Sequence, residues 1–84
     1  MPNPFNPQTT LRFTLPVEGF ANLRLYDVRG RLVRTLVQGV RPGGLNEVLW
    51  NGRDQNGRAS ASGTYYARLE FQNWTSVKSL VLVR

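Results

Sequence analysis

With 84 residues, a formal charge of +6 and neither Cys nor His, the chain is short, basic and poor in reactive side chains. A chain of this size buries roughly 60–65% of its unfolded surface, enough for one modest core and no two-lobed cleft. Absent Cys excludes disulfides and thiolate metal sites, and absent His removes the commonest general base and metal ligand. Glu18, Asp27, Glu47, Asp54 and Glu70 are scattered among different segments, which argues against a hydrolase built on paired carboxylates. Ten Arg and one Lys carry the positive charge, but Arg12, Arg24, Arg34 and Arg68 are dispersed and form no run. They read as a solvated outer face rather than a nucleic-acid site.

Pro2, Pro4 and Pro7 make residues 1–8 an extended lead-in, without helix. This opening has neither the basic start nor the apolar core of a signal peptide. Met1 ahead of what reads as module interior suggests an excised piece of a larger parent. From Thr9, Leu11, Phe13 and Leu15 alternate with Thr10, Arg12 and Thr14, the period of a half-buried strand. Ala21, Leu23 and Leu25 define a second strand, ended by the turn Asp27-Val28-Arg29-Gly30. Leu32 to Val37 reads as a third; its Leu32, Val33, Leu36, Val37 spacing breaks the alternation and predicts a bulge. Gly30 and Gly39 bound that segment too closely for a helix.

Asn46, Val48 and Trp50 share one face of a fourth strand after the breaker Arg41-Pro42-Gly43-Gly44. Asn56-Gly57 marks a turn in which both residues accept positive φ. Strands follow over Thr64 to Gln72 and Thr75 to Val83, joined by a turn at Asn73-Trp74. The last is apolar on both faces, as expected of a strand between neighbours or at a covered edge. Short strands with turn signals at this spacing predict one all-β domain over residues 1–84, a seven-stranded antiparallel immunoglobulin-like β-sandwich. Leu11, Phe13, Leu23, Leu25, Val48, Trp50, Tyr65, Ala67 and Leu69 would line its core. No internal repeat is read.

Three chemical sites can be weighed. Asp54-Gln55-Asn56-Gly57 begins like a calcium loop but lacks a third oxygen residue and the distal Glu, so it reads as a structural turn. Trp50, Trp74, Tyr65, Tyr66, Tyr26 and Phe20 could build a sugar-stacking platform, yet most sit on core phases; Trp74 is the aromatic expected to be partly exposed. Ser60, Ser62 and Thr64 have no activating base nearby. No catalytic residue, cofactor or metal is assigned.

Four segments carry a family resemblance: Pro2 to Leu11, Tyr26 to Val33, the Trp50 to Tyr65 loop with Gly52, Asp54, Gly57 and Gly63, and Lys78 to Arg84. In this order they resemble the C-terminal sorting domains of the type IX (Por) secretion system. The same pattern is shared with the Ig-like domain of the flagellar hook-capping protein. The terminal apolar strand ending on a basic residue favours the sorting domain, although Arg84 stands where many members carry Lys.

The resemblance implies a non-catalytic module of an exported protein of a Bacteroidota-type bacterium. It would direct type IX secretion through the periplasm and attachment at the cell surface, or release. Implied partners are the outer-membrane secretion machinery and surface lipopolysaccharide, with no nucleic acid, no membrane-spanning segment and a monomeric state. The implied recognition residues are Gly63, Tyr65, Lys78, Leu80, Leu82 and Arg84; Pro2, Pro4, Asp27, Gly30, Trp50, Gly52, Asp54 and Gly57 form the structural signature. Replacing Lys78 and Arg84 with Ala is expected to leave stability nearly unchanged. The alternatives are a carbohydrate-binding β-sandwich and an Ig-like structural or assembly spacer of the hook-cap type.

Overall fold

A computed structural model describes residues 8–84, so the lead-in with Pro2 and Pro4 lies outside the described residues. Six strands are found there: β1 Thr9–Leu15, β2 Gly19–Tyr26, β3 Leu32–Arg41, β4 Gly44–Trp50, β5 Gly63–Phe71 and β6 Trp74–Leu82. They form a two-stranded sheet, β1-β4, and a four-stranded sheet, β3-β2-β5-β6, with antiparallel pairing throughout. All-β antiparallel architecture agrees with the sequence. The expected seventh strand is not among the described residues. The one long stretch left between strands, 51–62, is folded into turns and makes only the bridge Arg53↔Ala59.

Strand phases explain the packing. Leu23, Leu25, Trp50, Tyr65, Ala67 and Leu69 are buried as expected, joined by Leu15, Ala21, Val37, Phe71 and Leu82. Leu11, Phe13 and Val48 pack against this core but are only partly buried. Their sheet has two strands and so leaves its flanks open, whereas the larger sheet encloses its middle. Trp50 is the largest fully buried side chain. Its ring meets Tyr65 edge-on at 5.1 Å, and its indole N–H donates to the Arg53 carbonyl at 2.9 Å, so the buried polar atom is satisfied.

β3 is longer than the sequence suggested and contains the expected irregularity. Its register against β2 shifts twice, at Leu23/Arg24 and at Leu25/Tyr26, leaving Leu36 and Val33 as the extra residues. Each bulge moves the following side chains to the other face, which is why apolar residues appear in adjacent pairs here. Gly39 does not stop the strand, because it pairs with Ala21 within the ladder. Beyond it, Asn46 pins the turn into β4: its side-chain amide donates to the Pro42 and Gly44 carbonyls, and its oxygen accepts from Arg41.

Two further expectations are corrected. Trp74 opens β6 rather than sitting in a turn, and it is half-buried against Phe71 at 5.9 Å. The turn is Gln72-Asn73, with Gln72 at φ 53°. Among the described residues β6 is an edge of its sheet with no strand beyond it, and Val77 and Val81 are exposed on its outer face.

Candidate functional site

Two turns in the chain have a common geometry. Asp27-Val28-Arg29-Gly30-Arg31 and Asp54-Gln55-Asn56-Gly57-Arg58 are two copies of one pentapeptide pattern, Asp-x-x-Gly-Arg. In the first, Asp27 Oδ1 accepts from the Arg29 and Arg31 N–H groups at 2.9 and 3.0 Å. In the second, Asp54 Oδ1 accepts from the Asn56 and Arg58 N–H groups, both at 2.9 Å. Each turn also closes with a Gly N–H to Asp C=O bond of 3.0 Å, and Asp N–H reaches the Arg carbonyl at 3.0 and 2.8 Å. Both glycines stand at φ +82°, where a side chain would be strained. No internal repeat is expected from the strand pattern, and the shared five residues are the signal in the sequence that marks this one.

These carboxylates are occupied by the backbone they fold. The Arg31 N–H is the main cause that holds the Asp27 carboxyl below its ordinary 3.8, helped by the Arg29 N–H and the Arg31 side chain against an opposing desolvation. Asp54 Oδ1 likewise accepts two backbone N–H groups, so the loop with the calcium-like start is folded as a hydrogen-bonded turn. A cavity of about 570 Å³ opens between the two turns, bordered by Asp27, Arg31, Ser60 and Thr64. Among its polar walls, the side chains of Asp27, Arg31 and Asp54 are already bonded within the turns.

The 51–62 loop is fastened on two sides. Gln55 lies along the outer edge of β3: its N–H donates to the Val33 carbonyl and its side-chain oxygen accepts from the Thr35 N–H, both at 2.9 Å. One edge of the large sheet is thereby capped, a known protection against edge-to-edge association. On the other side Arg84 reaches back from the chain end. Its N–H donates to Ser62 Oγ at 3.0 Å, and its guanidinium donates to the carbonyls of Ser60 and Gly52. The buried Gly52 carbonyl also accepts from the Ser60 N–H at 2.9 Å. Tyr65 completes the fastening, its hydroxyl donating to the Ala61 carbonyl at 2.5 Å.

The six residues expected to act in recognition therefore divide. Gly63 pairs with Leu82, and Tyr65 pairs with Leu80 across β5 and β6. Tyr65 and Leu82 are buried in the core. Arg84 is engaged with the loop through its main chain and its guanidinium, contacts that the expectation of a nearly neutral loss did not include. Lys78 is exposed, and Leu80 is half-buried beside it. The proposed six-residue aromatic platform does not form as a whole: Trp50 and Tyr65 are core residues and Trp74 is half-buried against Phe71, while Tyr26 and Tyr66 are cross-strand partners on the outer face and Phe20 is exposed at the other end of β2.

Among the described residues, antiparallel strands in two sheets, no helix and two Asx-type turns define the class, a small all-β antiparallel module. The model of the FlgD Ig-like domain matches residues 6–73, and the chain belongs to that family. Two solved structures share the fold. FlgD from P. aeruginosa is 23% identical with a TM-score of 0.68, over 89% of this chain and 60% of that one. FlgD from Xanthomonas campestris is 22% identical with a TM-score of 0.69, over 92% of this chain and 56% of that one. The chain thus spans less than two thirds of either structure. No curated protein matches it.

The family match overturns the type IX reading. The matched family is the hook-capping Ig-like domain, and nothing in the comparisons indicates a type IX sorting domain or a Bacteroidota source. The outer-membrane secretion machinery and surface lipopolysaccharide are withdrawn as partners, and passage through the periplasm to the cell surface is withdrawn as a location. The physical reason lies in the residues that carried the resemblance. Asp27, Gly30, Trp50, Asp54 and Gly57 build turns and core, so they report a framework and carry no sorting information. Among the described residues no helix is long and apolar enough to cross a membrane.

Proposed function

We propose that the chain is a non-catalytic structural module that acts in assembly of the flagellar hook-cap kind. The observation that carries this reading is the FlgD Ig-like match over residues 6–73. The Xanthomonas campestris relative is described as a hook-capping protein essential for flagellar assembly. The use of Asp27, Asp54, Arg84 and Tyr65 for internal fastening supports a scaffold rather than a reaction centre. On this reading Gly63, Tyr65, Leu82 and Arg84 maintain the β5–β6 frame, and exposed Lys78 and half-buried Leu80 are the recognition candidates that remain accessible. Deleting the encoding segment in the source bacterium is expected to abolish flagellar filaments, counted by electron microscopy. Normal flagellation of the deletion strain would remove this function.

A further inference from the structure

We propose that the free edge of β6 docks an extended peptide segment of a partner protein, carrying an acidic residue between apolar ones. This goes beyond the structural-module reading and does not rest on it. The two edges of the large sheet are unequal: Gln55 caps β3, while β6 has no strand or loop along its outer side among the described residues. Every second residue of an edge strand turns its N–H and C=O outward, where another strand can pair with them. Beside β6 runs a groove of about 170 Å³, with Leu23 and Leu69 in its floor and Phe13, Lys78 and Leu80 on its sides. Its opposite wall is β1, itself an edge strand of the small sheet. A slot between two strand edges suits an extended chain whose alternate side chains drop inward.

Charge selects the occupant. Lys78 is the midpoint of the nine-residue β6 and shares the phase of Leu80 and Leu82. It nevertheless stays exposed, and none of the ion pairs among the described residues includes it. If two copies paired antiparallel in centred register, each Lys78 would face its counterpart, and like charges directly opposite are unfavourable. A slipped register avoids that contact only by shortening the ladder. The net charge of +6 adds to the repulsion between copies. A partner strand with a carboxylate at the same place converts the repulsion to attraction, while flanking apolar residues fill the groove.

The test uses the full chain, isotopically labelled, and a capped peptide as long as β6 that alternates valine and threonine around a central glutamate. A second peptide has lysine at the centre. Amide shifts confined to β6 and the β1 side of the groove are expected, with the glutamate peptide favoured about fivefold over the lysine peptide. Lys78→Glu, a substitution at an exposed position, should reverse that order. Absence of shifts at millimolar peptide, equal response to the two peptides, or shifts centred on another edge would overturn the proposal. None of those results would bear on flagellation of the deletion strain.

Discussion

Arg84 joins the end of the chain to the loop that precedes β5. Its guanidinium donates to two carbonyls, of Gly52 and Ser60, and its main-chain N–H to Ser62. A planar fork can satisfy two acceptors that a single ammonium cannot reach together. Arg84→Ala is therefore expected to lower stability by about 1–2 kcal/mol, and Arg84→Lys to recover less than half of that. Urea unfolding followed by Trp fluorescence measures both. A loss within experimental error for the alanine variant would show that the fastening contributes nothing. This role was not legible in the sequence, because a terminal basic residue looks the same whether it faces solvent or a loop 32 positions earlier. The core role of Trp50 was legible, since it shares the alternation of Asn46 and Val48.

At the level of elements, the turns were the most readable part of the chain, because Asp and Gly have few alternatives to the geometry they adopt here. An irregularity in β3 was also readable from its paired apolar residues, although the sequence pointed to one bulge and the register shifts twice. The length of β3 was not: a Gly in a strand costs roughly 0.5–1 kcal/mol, but the ladder to β2 outweighs it. The Asp27 turn gives a pH-dependent prediction. Its carboxyl lies below the ordinary 3.8 when folded, so its contribution is complete above 3.8 and lost as pH falls through the folded value. Asp27→Asn removes that ionisation, and the variant's melting temperature should fall less steeply with acid below about pH 4 than the native chain's. Parallel acid limbs for the two proteins, by calorimetry, would exclude the turn as a source of the pH dependence.

For the molecule as a whole, the all-β sandwich followed from periodicity, while the partner and location inferred beside it did not survive the family match. Turn and core residues fix a framework, and two families that share the framework share those residues. What separates them lies on surfaces, where sequence periodicity carries little information. The last strand illustrates this: its two-sided apolar pattern predicted a covered position, but β6 stands at an edge with Val77 and Val81 exposed. Such an edge invites pairing with another copy, and an inward-phase charge is one of the devices that prevents it. Lys78 is that charge. Lys78→Val would leave β6 apolar at its centre as well as on its outer face, without removing any hydrogen bond or ion pair found for the residue. The variant is expected to fold with a melting temperature at or slightly above the native value, since valine favours strands. Its weight-average mass in sedimentation should nevertheless rise with concentration more steeply than that of the native chain. If the two proteins sediment alike across the same range, Lys78 does not guard the edge, and the outer valines are tolerated for another reason.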